Sequence, residues 1–308
     1  MYLLTHLKND DYNGNKYIQD IIINQIPNII LINTKQHIIF KNSIIILLHP
    51  QLLTQSLLNK NNKIIIIFHD NYIEFMTNCQ KKYKSTTFLN YNIIQTKLLF
   101  QQLESISKTE NIITIFLNKN DKYFYKNISK NSFLLKYHNN IVMDKTLYNN
   151  NKLINLIYTG SSNYQNLEYV TQVINFVKDR NTINNYKITL NICGKICNLI
   201  NFMHDNIKLF NKYNNLSEFN FENPIGINNN YFQTGISTKN LNFIENKFII
   251  FSHIESKLDF ANNYPIYYFN NIQEIECLII KFDEIKNKYP EFVEFNHDAN
   301  YINLSELK

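Results

Sequence analysis

The sequence predicts an α/β protein of two domains, each a doubly wound parallel sheet with helices on both faces. Three observations carry this. Short β-branched runs alternate with longer amphipathic stretches along the whole chain. The alternation restarts once, after a polar stretch near residue 150. The length of 308 residues exceeds one ordinary core and suits two domains of about 150 residues each. The expected division is 1–150 and 151–308.

In the first half the expected strands are Met1–Thr5, Ile29–Asn33, Ser43–Leu48, Lys63–Phe68, Ile112–Leu117 and Phe133–Leu135. Between them, Asn92–Ser107 carries Ile93, Ile94, Leu98, Leu99, Leu103 and Ile106 at helical spacing and reads as a crossover helix. Asp144–Lys152 lacks periodicity and is the expected linker. The second half then gives strands at Leu153–Tyr158, Lys187–Cys193, Ile207–Phe210, Phe248–Ser252 and Ile266–Phe269. Its helices are Asn166–Lys178, with Leu167, Val170, Val173, Ile174 and Val177 on one face, and Ile272 to about Lys288, ended by Pro290. Glu291–Lys308 reads as a tail that packs back on the first domain.

Composition limits the chemistry. Hydrophobic residues make up 44% of the chain, dominated by Ile, while Asn and Lys fill the polar positions and Trp is absent, the signature of an AT-rich genome. Of 31 basic residues only Arg180 is an arginine, so a two-pronged guanidinium grip on phosphate is almost unobtainable. Anion sites must use lysine, backbone N–H groups or hydroxyls. Residues 1–150 hold 17 Lys against 9 Asp/Glu, net +8, and residues 151–308 hold 14 basic against 16 acidic, net −2. Within the basic half, Lys81, Lys82 and Lys84 form a candidate patch for peripheral contact with an anionic membrane surface.

With arginine scarce and no recognition motif present, a nucleic-acid partner is not expected, and the aromatic residues read as core. The four cysteines lack zinc spacing and read as reduced core residues. Apolar runs such as Ile64–Phe68 fall far short of the ~20 residues of a spanning helix. Met1–Leu7 is too short for a signal-peptide core. A cytoplasmic protein is expected.

Glycine occurs only five times, so each position is informative. Gly14, with Asn15, follows the first strand; Gly160 follows Leu153–Tyr158; Gly194 follows Lys187–Cys193; Gly235 precedes Ile236-Ser237-Thr238-Lys239. Gly226, beside Pro224, reads as a plain turn. A strand, then Gly160-Ser161-Ser162, then a helix places free N–H groups and a positive helix end at the carboxyl edge of a sheet, which suits a phosphate. The same residues also suit a simple capped βα turn. Neither a Walker loop nor a dinucleotide G-x-G-x-x-G is present, so kinase, ATPase and NAD readings lose their main support.

These segments resemble the GT-B glycosyltransferases, especially the retaining family-4 type, over about the first 285 residues. Leu156-Ile-Tyr-Thr-Gly-Ser-Ser-Asn-Tyr-Gln-Asn-Leu-Glu168 is similar to that family's opening of its second domain. Asn191-Ile-Cys-Gly-Lys195 is similar to the next strand-Gly-basic unit. Gly235 through Ile244, followed by the strand Phe248–Ser252, resembles the segment in which a glycine loop and a lysine, here Lys239, precede a helix. His69, after Ile64–Phe68, resembles the strand-end histidine.

The resemblance implies two Rossmann-like domains facing across a cleft, with a nucleotide-diphosphate sugar on the second and a glycan, lipid-linked or protein acceptor on the first. It implies donor contacts from Gly160, Ser161, Ser162, Lys195, Gly235, Ser237, Thr238, Lys239 and Asn242, and a catalytic role for His69. Gly14 and Asn15 would allow close approach of acceptor or phosphate. No metal or other cofactor is implied.

The sequence also departs from the family pattern. Asn242 stands where the family has a ribose-binding glutamate, Thr234 falls near the other glutamate of the pair, and Asn163, Tyr164 and Gln165 replace the usual Arg and Lys. Two further readings therefore remain open beside the transferase. One is a nucleotide-sugar epimerase on the same fold, and the other a degenerate member acting as a binding or scaffold subunit.

Overall fold

Isoleucine-rich strands buried on both faces form two sheets. The computed structural model describes residues 1–5, 14–33, 39–58, 61–69, 74, 77, 94, 97–98, 101, 104, 111–125, 131–137, 140–201, 204–213, 215–231, 236–258, 260–295 and 297–307. Lys81, Lys82, Lys84, Gly235 and most of the expected helix Asn92–Ser107 lie outside the described residues; positions 94, 97, 98, 101 and 104 of that helix are helical.

The first unit comprises residues 1–137, 232–236 and 297–308. Its strands are β1 (Tyr2–Thr5), β2 (Ile30–Asn33), β3 (Ile44–Leu47), β4 (Lys63–Phe68), β5 (Ile112–Phe116) and β6 (Asn131–Leu135). Helix α1 (Gly14–Gln25) follows β1, and the short helix α2 (Lys119–Phe124) follows β5. With a strand from the tail, β16 (Tyr301–Ile302), they form a seven-stranded sheet in the order β16-β6-β5-β4-β3-β1-β2, parallel throughout. Every residue of β5 is buried, as are Ile64–Phe68 of β4. That double-sided burial explains near-continuous Ile runs in place of alternation. The one hydroxyl inside β5, Thr114, is matched by Ser132 at 2.9 Å. Lys63 Nζ donates to the Leu307 carbonyl at 2.7 Å, and the Leu304 amide donates to Gln25 Oε1 at 2.9 Å, so the tail is tied to the first unit.

The second unit comprises residues 138–231 and 237–296. The break at 137/138 precedes the polar stretch 144–152 because β7 (Asn140–Val142) pairs antiparallel with β15 (Phe292–Glu294), a ribbon belonging to this unit. Its main strands are β8 (Leu153–Thr159), β10 (Tyr186–Cys193), β11 (Ile207–Phe210), β12 (Pro224–Asn228), β13 (Ile249–His253) and β14 (Ile266–Phe269). A short antiparallel strand, β9 (Thr182–Ile183), pairs with β10. The order β11-β10-β8-β12-β13-β14 is parallel and reverses direction between β8 and β12. The helices are α3 (Tyr164–Asp179), α4 (Thr238–Glu245), α5 (Glu274–Ile280) and α6 (Phe282–Asn287). The expected single helix 272–288 is thus two, meeting at Lys281.

Strand β12 corrects the reading of Gly226. The glycine is not in a turn but in the middle of a central strand. Pro224 occupies the first strand position, where a missing N–H is tolerated. A Cβ on Gly226 would fall 2.3 Å from Cγ of Phe243, the buried ring that α4 lays over the sheet. Only glycine lets the helix approach this closely.

Asparagine supplies the left-handed backbone that the scarce glycines do not. Six of the seven described non-glycine residues with positive φ are Asn28, Asn42, Asn184, Asn185, Asn220 and Asn223. Asn223, with φ 45° and no exposure, also fastens the linker. Its Nδ2 donates to Asn149 Oδ1, Asn151 O and Leu153 O, and its Oδ1 accepts from the Asn149 amide. Asn223→Ala is expected to cost about 3 kcal/mol through those buried bonds and the backbone conformation. Asn223→Gly should cost about 1 kcal/mol less. Urea midpoints compare the three proteins, and equal stability of all three would refute this role.

Candidate functional site

In an open parallel sheet, ligands bind beyond the carboxyl ends of the strands where the order reverses, because the two chains leaving there run apart and open a crevice. In the second unit that place lies beyond β8 and β12. The chain leaving β8 makes the turn Gly160–Asn163, and the chain leaving β12 runs through Asn229 and Asn230. A recess lined by Asn181, Thr182, Lys187 and Asn206 lies at the opposite, amino ends of β10 and β11.

The turn after β8 is braced by its neighbour. Gly160 N–H donates to Cys193 O at 3.1 Å, and Gly160 O accepts from Ile196 N–H at 3.1 Å. The Gly160 amide is therefore already committed to protein. Gly194 has φ 100°, and a Cβ there would meet Gly160 O at 2.7 Å, so two backbones touch where side chains would separate them. Asn163 caps α3, its Oδ1 accepting from the Asn166 amide at 2.7 Å. Ser161 Oγ accepts from both Asn163 Nδ2 at 3.0 Å and Asn166 Nδ2 at 3.1 Å. With both lone pairs engaged, the Ser161 hydroxyl keeps its proton as a donor. Ser162 is exposed at the tip.

Helix α4 brings in the lysine. Ser237 caps it, and its buried Oγ accepts from the Asn240 amide at 3.3 Å and from Asn228 Nδ2 at 2.7 Å. Thr238 and Lys239 open the first turn. Lys239 Nζ lies 2.9 Å from Tyr158 Oη, 2.8 Å from Asn166 Oδ1 and 3.0 Å from Asn230 Oδ1. It also sits 4.4 Å from the centre of the Tyr158 ring. No carboxylate pairs with it among the described residues. Burial without a counter-charge brings its pKa down to about 7.

The other expected positions are more dispersed. Lys195 is exposed at the start of the turn after Gly194. Asn242 is buried in α4, where its Oδ1 accepts from Asn246 Nδ2 at 3.1 Å. Gly14 and Asn15 form the first residues of α1 in the first unit. There the sheet reverses between β1 and β3, and His69 follows β4, two strands from β1.

His69 is 5% exposed and stacks on His49 at 4.6 Å. Its Nε2 has no hydrogen-bond partner among the described residues. Burial, then the neighbouring His49, hold its pKa well below 6.5, against a hydrogen bond with the Leu48 backbone that favours the charged form. The folded state thus takes up this proton at lower pH than the unfolded chain. Between the two pKa values the unfolded chain holds more protons, so stability falls as pH drops below 6.5. His69→Phe is expected to flatten the loss of thermal stability between neutral pH and pH about 5. An unchanged pH slope would refute this.

Three residues of the lysine site were absent from the sequence expectations: Tyr158, Asn166 and Asn230. Tyr158 and Asn166 lie within the Leu156–Glu168 motif itself, one ending the strand and the other in the first turn of α3. Asn230 was hidden because β12 reads as a turn, so nothing marked the residues after it as a strand end.

No family model and no curated protein matches this sequence. Solved structures do match in fold. A crystal structure of TarM aligns with a TM-score of 0.53 at 14% identity, covering 90% of this chain and 52% of that one. The fold is of the GT-B type. Its two Rossmann-like domains are the two parallel-sheet units described above. Weaker matches include an S. aureus TarM variant in complex with fondaparinux, α-GlcNAc-glycerol and UDP, with a TM-score of 0.49 at 13% identity, covering 90% of this chain and 56% of that one. Trehalose-6-phosphate synthase, from a study of enzymatic glycosyltransfer with retention, aligns at 0.46 and 9% identity, covering 79% of this chain and 66% of that one. The chain spans about half to two thirds of the length of these GT-B proteins.

Proposed function

We propose that the protein is a metal-independent glycosyltransferase that moves a sugar, with retention, from a nucleotide-diphosphate sugar to a glycan, lipid-linked or protein acceptor. The observation that carries this reading is the Lys239 side chain, which lies where the second sheet reverses and is held, among the described residues, only by neutral groups. Such a group lacks an internal anion and is suited to an external one. The GT-B fold and the motif resemblance at Gly160 and Lys239 favour a donor diphosphate as that anion.

In the proposed reaction the bond between the anomeric carbon and the diphosphate oxygen breaks while the acceptor oxygen bonds to that carbon. The acceptor hydroxyl loses its proton. Charge grows on the leaving diphosphate, and in this reading Lys239, the Ser161 hydroxyl and the Ser161 and Ser162 amides are the donors that stabilise it. The first unit is assigned the acceptor, with His69 as the candidate group near the reacting hydroxyl. A neutral imidazole there can accept a proton, consistent with its lowered pKa. Asn242 is assigned the ribose through its Nδ2 donors, since its Oδ1 already accepts from Asn246 Nδ2.

A panel of nucleotide-diphosphate sugars tests the reading. At least one is expected to raise the thermal unfolding temperature of the pure protein and to be slowly hydrolysed. Absence of any response from folded protein would sink it.

A further inference from the structure

At the amino ends of β10 and β11, Asn181, Thr182, Lys187, His204, Asp205 and Asn206 line a recess of about 440 Å³. This is the size of a small-molecule site. One wall is a hairpin. Asn184 and Asn185 alone join β9 to β10, with φ 48° and 66°, which is the primed two-residue turn whose twist matches its strands. In that register Thr182 stands directly opposite Lys187, so both side chains leave the same face. Arg180 Nε donates to Glu276 Oε2 at 2.7 Å, and Asn184 Nδ2 donates to Ile280 O at 3.3 Å. Helix α5 thus fixes the wall at its base and at its tip.

The other wall is the turn His204–Asn206 leading into β11. The Asn206 amide donates to His204 Nδ1 at 3.2 Å, and the Asn206 carbonyl accepts from the Leu190 amide at 2.8 Å. A neutral His204 therefore carries its hydrogen on Nε2, as a donor. Asn206 is 8% exposed, and with both backbone groups engaged its side-chain amide makes no hydrogen bond among the described residues. A buried amide of this kind costs stability until a ligand or solvent satisfies it.

Charge narrows the class of ligand. Lys187 and Asp205 are exposed, and neither side chain forms an ion pair or hydrogen bond among the described residues. Their charges sum to zero, so an anion drawn by Lys187 meets Asp205, and a cation drawn by Asp205 meets Lys187. The remaining lining groups are two amides, a hydroxyl and an imidazole. Thr182 Oγ1 donates to Asn181 Oδ1 at 3.4 Å, which leaves Asn181 Nδ2 as a donor. A ring bearing adjacent hydroxyls, each both donor and acceptor, complements this set.

We propose that the recess binds one hexose unit of a glycan. Asp205 accepts from its hydroxyls, Lys187 and His204 Nε2 donate to them, and the Asn206 amide does both. Strand β10 is eight residues long, so the recess and the carboxyl edge that holds Lys239 are roughly 25 Å apart. One sugar unit cannot serve both places. The recess is a holding site whose chemistry does not depend on the donor reading.

Saturation-transfer NMR titrations of the full chain test this, with the methyl α-glycosides of glucose, N-acetylglucosamine and mannose as probes. At least one is expected to bind in the millimolar range, as suits an open site and a ligand of few atoms. Asn206→Leu is expected to weaken it about 10-fold. Asp205→Ala and Lys187→Met, at exposed positions that leave the core untouched, are expected to weaken it about 5-fold each. Excess UDP, which probes the Lys239 site, should not displace the glycoside. Saturation by none of the three glycosides, displacement by UDP, or native affinity in all three variants overturns the inference. Displacement by alanine assigns the recess to a zwitterion and overturns it equally. Failure of nucleotide-diphosphate sugars to bind overturns the proposed function and leaves a saturable glycoside at the recess standing.

Discussion

Lys239→Met is expected to weaken binding of the nucleotide-diphosphate sugar about 10- to 100-fold while making the folded protein more stable at neutral and acid pH. The loss of affinity follows from a charge-assisted hydrogen bond to phosphate, on the order of 1.5–3 kcal/mol. The gain in stability has a definite sign. The folded-state pKa of about 7 lies below the ordinary 10.5, so between these values the unfolded chain binds the proton that the folded chain refuses. Lys239 therefore costs stability progressively as pH falls from 10.5 to 7, and the cost is complete below 7. Methionine fills similar volume without a charge. The stability advantage of the variant should vanish above the ordinary lysine value of 10.5 and reach a few kcal/mol below pH about 7. Denaturant unfolding across this range measures it. A variant equally stable at all pH values, or one that binds the sugar nucleotide as tightly as the native protein, would contradict the assignment.

Gly226→Ala is expected to destabilise the second unit by about 3 kcal/mol or more, large for the addition of one methyl group. The added carbon would overlap three ring atoms of Phe243, at 2.3, 2.4 and 2.8 Å. Relief requires α4 to lift from β12, because Phe243 is fully buried and has nowhere else to turn. The same displacement would move Lys239, which α4 carries, so binding should weaken together with stability. Phe243→Leu introduced beside Gly226→Ala should restore part of both, and the coupling in a double-mutant cycle should exceed 1 kcal/mol in magnitude. A single variant within about 1 kcal/mol of the native protein would show that the helix yields freely.

How much of the fold was legible depended on whether a strand's own residues announced it. β4 after Lys63 and β5 apart from Thr114 are continuous apolar runs buried on both sides, so their sequence carries the signal without help from neighbours. β12 carries Pro and Gly, both local breakers, and is a strand only because β8 and β13 pair with it and Phe243 needs the space above it. The helix expected across 272–288 failed differently: its apolar spacing runs through Lys281, where the structure places a break between α5 and α6. Left-handed turns were also hidden, since a search for glycine passes over the six asparagines that adopt positive φ.

The site divides along the same line. The Gly160 turn, its Asn163 cap and the lysine on α4 are local features, set by residue types within a few positions of one another, and the sequence by itself determined them. It also determined that arginine would play almost no part. Only the tertiary structure decided that the Gly160 amide is committed to Cys193, that Asn242 is held by its own helix, and that Tyr158, Asn166 and Asn230 surround Lys239. The ionisation of a lysine depends on burial and on charges brought from distant parts of the chain, and neither is a property of its neighbours in sequence.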